Sequence, residues 1–243
     1  MRELHLFAGA GGGILGGLML GHVPVGAVES DAYCRKVLQA RQDDGCLPPF
    51  PILDDVRTFD GKPWRGQVDV VCGGFPCQPW SLAGKQLGAD DPRHLWPEMA
   101  RIIDEIRPRY VFAENVSLAA FEEPWRDLRG LGYRVPPAIC VSAADVGAPH
   151  LRKRWWLLAT DTRGISREVG DTNNPRRIQQ RGAESARPQH EAAQRSSWWG
   201  AQPRFRRVAH GVPNRLAQLR ALGNAQVPSV AATAFDLLMG GLK

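Results

Sequence analysis

Leu4-His5-Leu6-Phe7-Ala8-Gly9-Ala10-Gly11-Gly12-Gly13-Ile14-Leu15-Gly16-Gly17 runs from a short apolar stretch, through a glycine-rich turn, into a second apolar stretch. Residues 4–8 read as a buried strand, and 14–21 read as the helix that follows it. Glycines at such a turn accept positive φ and let the backbone approach a ligand closely. Dinucleotides, phosphates and S-adenosylmethionine all suit a turn of this kind. No Lys-Ser or Lys-Thr follows the glycines, which excludes a Walker loop.

The same alternation continues outward. Residues 25–29, 52–56, 68–72 and 110–114 read as further buried strands bounded by Gly, Pro or polar residues. Residues 31–42 and 95–106 read as helices. In the second, Met99, Ile102, Ile103 and Ile106 share a face opposite Arg101, Asp104 and Glu105. This pattern predicts a mostly parallel sheet covered on both sides. Residues 135–141 and 155–160 leave no room for a helix between them and predict an antiparallel pair at one end. A last helix over 228–238 turns Val230, Ala231, Ala234, Leu237 and Leu238 inward.

Residues 161–212 break the pattern. They hold ten Arg, five acids, no Lys and only six residues from Val, Ile, Leu, Met and Phe. So few aliphatics cannot bury enough surface for an independent core. The stretch reads as a basic, loop-rich insertion or a mobile arm. It supplies nearly all the formal charge of +6 carried by the 243 residues, which are 43% hydrophobic and 23% charged. The expected organisation is therefore 1–160 with 213–243 as the catalytic body and 161–212 as a recognition segment. No apolar run is long enough for a membrane span, and the N-terminus lacks the pattern of a secretory leader. The five cysteines, at 34, 46, 72, 77 and 140, form no C-x-x-C pair and no zinc spacing. A cytoplasmic location with reduced thiols and no metal is expected.

Cys77 stands apart from the others. Gly73-Gly74-Phe75-Pro76-Cys77-Gln78-Pro79-Trp80-Ser81 follows a predicted strand, and open parallel sheets place ligands at strand carboxyl ends. Pro76 and Pro79 stiffen the turn. Cys34, Cys46, Cys72 and Cys140 read as small buried apolar residues. Beyond Cys77, residues 81–92 with Lys85 and the adjoining Arg93 read as a lid. Ala113-Glu114-Asn115-Val116 puts a carboxyl group at the next strand end, placed for acid–base work. His150-Leu151-Arg152-Lys153-Arg154 puts two arginines on one side if the segment is extended, suited to a phosphate or a polarised carbonyl. Glu29 closes the second strand, where a carboxylate can accept ribose hydroxyls, and Asp55 closes the third, beside the expected adenine position.

Taken in order, these residues resemble the cytosine-5 DNA methyltransferase family. The resemblance rests on Phe7, Gly9, Gly11 and Gly12; Glu29; Asp55; Pro76-Cys77; Glu114-Asn115-Val116; His150-x-Arg152-x-Arg154; and Gly223-Asn224-x-x-Val227. It implies a doubly wound, seven-stranded, Rossmann-like α/β fold with a small irregular inserted lobe. It also implies an S-adenosylmethionine site made by Phe7, Gly9, Gly11, Gly12, Glu29, Asp55, Pro76, Leu95, Asn224 and Ala225, without a metal. Catalysis would fall to Cys77, Glu114, Arg152 and Arg154. Ser81, Lys85, Arg93, Arg204, Arg206 and Arg207 would meet double-stranded DNA. A bacterial or phage monomer is expected, of restriction-modification or orphan type, with a cognate restriction endonuclease as a possible companion. A tRNA methyltransferase and an inactive DNA-binding relative are the alternatives. Two departures from the family stand out: His5 replaces an acid and His150 replaces Gln. The Arg-Leu-rich recognition motif has no counterpart, and Arg207-Val208-Ala209-His210-Gly211 stands in that region.

Overall fold

Buried strands need every backbone polar group paired and both faces covered, and this sheet meets both needs with short elements. The computed structural model describes residues 1–76, 94–163 and 215–241. Its strands are β1 (Arg2–Leu6), β2 (Val23–Val28), β3 (Ile52–Leu53), β4 (Val70–Gly73), β5 (Tyr110–Asn115), β6 (Tyr133–Arg134), β7 (Ile139–Val141) and β8 (Arg154–Asp161). Its helices are α1 (Gly12–Met19), α2 (Ala32–Asp43), α3 (Trp96–Ile106), α4 (Glu122–Gly130), α5 (Arg215–Asn224) and α6 (Pro228–Gly240).

The sheet order is β3-β2-β1-β4-β5-β8-β6, with β7 also on β8. Strands β1 to β5 pair in parallel. β8 runs antiparallel to β5. β6 faces Asp161 and Thr160 while β7 faces Trp156 to Arg154, so the two share one edge of β8. Eight segments thus fill seven positions, as the sequence predicts, with the antiparallel part at one end. The order reverses between β2-β1 and β1-β4, so a crevice opens at the carboxyl ends of β1 and β4.

Each face has its own core. Leu4, Leu6, Val71, Val111, Ala113, Leu157 and Ala159 pack against Met99, Ile102, Ile103 and Ile106 of α3 and Leu128 of α4. Trp96 Nε1 donates to Asp127 Oδ2 at 2.9 Å and ties α3 to α4. On the other face, Val70, Cys72, Phe112, Trp156 and Leu158 meet Val230, Ala231, Ala234 and Phe235 of α6. α1 fits beside α6 because Gly16 has no side chain; a Cβ there would lie 2.9 Å from that of Ala231. α2 starts where Asp31 Oδ1 accepts from the Tyr33 and Cys34 amides at 2.8 and 3.1 Å.

Several expectations need correction. Leu237, read as inward on the last helix, is exposed, and only Ile139–Val141 of the strand read over 135–141 forms. The third strand stops at Leu53, because Asp55 Oδ1 accepts from the Arg57 amide at 2.9 Å and turns the chain. Asp55 therefore lies two residues beyond the strand. Among the cysteines, Cys34 and Cys72 are buried as expected, but Cys46 and Cys140 are exposed. Cys46 sits just past α2, and Cys140 lies on the edge strand β7. Among the described residues, no helix is long and apolar enough to cross a membrane.

A charged group lies inside the α1/α6 face. Glu3 is 2% exposed. Its Oε2 lies 3.0 Å from His5 Nε2, and its Oε1 lies 2.7 Å from His22 Nδ1. Burial pushes the Glu3 carboxyl up, but the hydrogen bonds from His22 and His5 overturn that and hold it at about 2. A buried carboxylate with both oxygens bound is costly to break from either side. Glu3→Ala leaves two imidazole nitrogens without their acceptor and is expected to cost about 3–5 kcal/mol, read by urea denaturation. A depressed folded-state value supplies stability above the ordinary 4.5 that is lost as pH falls towards 2. The wild-type advantage over the variant should therefore shrink in that acidic window.

Candidate active site

The floor of the crevice is the turn between β1 and α1. Phe7 has φ 54°, in the left-handed region that a bulky side chain rarely adopts, and Gly9 and Gly11 follow with φ 55° and 92°. Strain of this kind persists where surrounding contacts impose it. Glu29 imposes part of it. Its Oε2 accepts from the Gly9 amide at 2.6 Å and its Oε1 accepts from the Asp31 amide at 2.7 Å. One carboxylate thus pins the glycine turn to the start of α2. A Cβ at Gly9 would meet nothing within 4 Å, so open space adjoins the turn at that point.

The second wall is the end of β4. Phe75 is buried, with ring centroids 5.3 Å from Trp96 and 5.8 Å from Phe121. Its carbonyl accepts from Asn115 Nδ2 at 3.1 Å, and Asn115 Oδ1 accepts from the Val116 amide at 2.8 Å. The backbone that leads into Pro76 is therefore fixed to the end of β5. Pro76 is half-buried, as is Leu95 ahead of α3. Cys77, Ser81, Lys85, Arg93, Arg204, Arg206 and Arg207 lie outside the described residues.

Glu114, next to Asn115 in β5, is 8% exposed. Arg154 Nε lies 3.0 Å from its Oε1. Gln226 Nε2 donates to its Oε2 at 3.4 Å. Burial pushes this carboxyl up, and Arg154, Gln226 and Arg152 only partly offset the shift. The result is a carboxyl raised above the ordinary carboxylate range while held at both oxygens.

The two arginines take different partners. Arg152 has φ 32°, which ends the extended run, and β8 starts only at Arg154. Arg152 Nη2 donates to the carbonyls of Gly223, at 2.8 Å, and Ala225. It thereby anchors the link between α5 and α6, while Arg154 serves Glu114. The single extended face read from the sequence is therefore not formed, although both arginines still act on Glu114 electrostatically. Phe7, Gly9, Gly74, Glu114, Asn224, Ala225 and Gln226 line one cleft. Glu29, just past β2, reaches the cleft through Gly9, whereas Asp55, two residues past β3, bonds within its own turn and does not line the cleft.

Residues 1–205 match the family model described as C-5 cytosine-specific DNA methylase. The chain belongs to that family. It is similar to the type II methyltransferase M.PspPI of Psychrobacter sp. (strain TA137), at 38% identity over 167 residues, covering 65% of this chain and 39% of that protein. It is also similar to the type II methyltransferase M.NgoMIV of Neisseria gonorrhoeae, at 40% identity over 165 residues, covering 65% and 51%. The solved S. pombe Dnmt2 methyltransferase shares the fold, with TM-score 0.55 at 20% identity over 70% of this chain and 51% of that one. The chain spans about two fifths to one half of the length of these relatives.

Within this methylase family member, the structure gathers elements that lie far apart in sequence. It also brings forward residues that the motif reading passes over. Gln226 occupies an unspecified position of the Gly223-Asn224-x-x-Val227 element, where spacing attaches no chemistry to it. Glu3 and His22 carry no motif, although an acid at the start of the buried strand β1 is a signal of paired charge.

Proposed function

We propose that this chain is a DNA cytosine-5 methyltransferase acting on a cytosine flipped out of duplex DNA. The observation that carries the reading is Glu114. It is a buried acid, gripped by Arg154, on the strand beside the one that leads into Pro76-Cys77, with the glycine turn lining the same cleft. Phe7, Gly9, Gly11, Gly12, Glu29, Asp55, Pro76, Leu95, Asn224 and Ala225 would hold S-adenosylmethionine, which supplies an electrophilic methyl group. The donor set fits: open space adjoins Gly9, and the Glu29 carboxylate at the turn keeps lone pairs for ribose hydroxyls.

The chain's own residues then divide the work. Carbon 5 of cytosine is a weak nucleophile, and addition of the Cys77 thiolate at carbon 6 makes an enamine whose carbon 5 is nucleophilic. Negative charge that develops on the ring is met by a proton from Glu114 at ring nitrogen 3. Arg154 holds Glu114 in place and, with Arg152, faces the ring carbonyl with positive charge. After transfer, a base takes the carbon-5 proton and the thiolate leaves. The target base is reachable only outside the stack. The arginine-rich residues 161–212 would supply the positive charge for the phosphate backbone. Within this reading the catalytic body is 1–160 with 213–243.

The test mixes the protein with labelled S-adenosylmethionine and, in separate reactions, duplex DNA and tRNA. Label in DNA as 5-methylcytosine is the expected result. Label confined to tRNA would replace the substrate, and label in neither would refute the enzyme reading.

A further inference from the structure

Gln226 lies in the link between α5 and α6, and three glycines from two other elements make room for it. A Cβ at Gly12 would overlap its carbonyl oxygen, and a Cβ at Gly13 would overlap its side-chain oxygen. A Cβ at Gly74 would lie 3.1 Å from its Nε2 and 2.7 Å from Glu114 Oε2. The carboxamide is thus wedged between the start of α1, the end of β4 and the acid on β5. Glu114 Oε1 is occupied by Arg154, so the free proton of the neutral acid belongs on Oε2, the oxygen facing Gln226.

We propose that Gln226 is a positioning residue for Glu114: its carboxamide holds Oε2 while Arg154 holds Oε1, which fixes the oxygen that carries the transferable proton and the direction in which it points. The proposal rests on Glu114 acting as the acid in methyl transfer. It also gives the link to α6 a second task. Asn224 and Ala225 line the same cleft, and Gln226, next in sequence, reaches the acid. The charged groups that face Glu114 are Arg154 of β8 and Arg152 just before it. Both are cations and neither comes from the link, so Gln226 is its one polar contribution among the described residues. An amide N–H donated to a carboxyl oxygen favours the ionised form, so its removal keeps the acid protonated to higher pH.

The test uses Gln226→Met, which keeps length without a donor, and Gln226→Glu, which puts a second carboxyl against the first. The rate of methyl transfer to duplex DNA is followed against pH, and cofactor affinity is measured by equilibrium binding. In Gln226→Met the alkaline limb should move up by about half to one pH unit, with cofactor affinity kept within about threefold. In Gln226→Glu it should move further the same way, because neighbouring carboxylates resist joint ionisation. An unmoved limb, with rates lowered equally at every pH, would overturn the proposal and leave a purely structural role. The Glu114 carboxylic acid infrared band, identified by its loss in Glu114→Gln, reads the same titration without turnover. Absence of transfer by the wild type would refute the enzyme reading, while an infrared titration unmoved by Gln226→Met would refute the coupling by itself.

Discussion

Cys77→Ser is expected to lower methyl transfer to DNA by about 10⁴-fold or more while leaving S-adenosylmethionine binding nearly unchanged. The thiolate is the attacking species, and a cysteine near neutral pH already holds a few per cent of it. A serine hydroxyl ionises far less readily and is the weaker nucleophile, so carbon 6 is not attacked and carbon 5 is never activated. The substitution changes one atom in a segment whose approach is fixed independently. Phe75 is locked between Trp96 and Phe121, and Asn115 holds its carbonyl. The groups proposed to hold the cofactor come from the glycine turn, Glu29, Asp55, Pro76, Leu95 and the α5–α6 link, and the thiol is not among them. Labelled transfer and equilibrium binding, measured together, check both halves. A parallel loss of cofactor binding would show that Cys77 serves the cofactor site, and the assignment would fail.

Much of the fold is legible in residues 4–17 and their echoes along the chain, for a physical reason. A parallel strand buried on both faces is mostly apolar, and the turn after it must bend where a side chain would obstruct. β1, β2, β4 and β5 therefore announce themselves, as does α3 with Met99, Ile102, Ile103 and Ile106 fully buried on one face. β3 is less legible. In the sequence it reads on to Val56, but Asp54 and Asp55 interrupt the apolar run, and the Asp55 turn to Arg57 ends the strand after two residues. α4 is hidden because Glu122-Glu123-Pro124-Trp125 reads as polar; Trp125 packs on the core, Leu128 is buried and His94 and Asp127 ties complete its anchoring.

The site divides along the same line. Residue types with intrinsic chemistry, such as Cys77, Glu114 and Arg154, can be picked out one by one. Partners chosen by tertiary proximity cannot. Arg152 and Arg154 look equivalent in sequence, yet a single left-handed φ at Arg152 turns one towards the Gly223 and Ala225 carbonyls and leaves the other on Glu114. Gln226 meets Glu114 across 112 residues of sequence, a distance over which no local pattern operates.

Glu114→Gln follows from the same geometry and is expected to lower methyl transfer by about 10²–10⁴-fold with cofactor binding intact. Glutamine keeps the length and an oxygen for Arg154, so the cleft retains its shape. It has no acidic proton for ring nitrogen 3. The pH dependence separates this from a packing effect. Burial raises the Glu114 carboxyl, against the pull of Arg154, Gln226 and Arg152, so the protonated form persists above the ordinary carboxylate range. Transfer that uses that proton declines as pH rises through the raised value. In Glu114→Gln that alkaline decline should vanish, leaving a low rate that is flat where the wild type falls. A pH–rate profile of both proteins under single-turnover conditions checks it. If the variant stays within tenfold of the wild type, or keeps the same alkaline limb, the proton comes from elsewhere. Glu114 would then serve only to hold Arg154 in place.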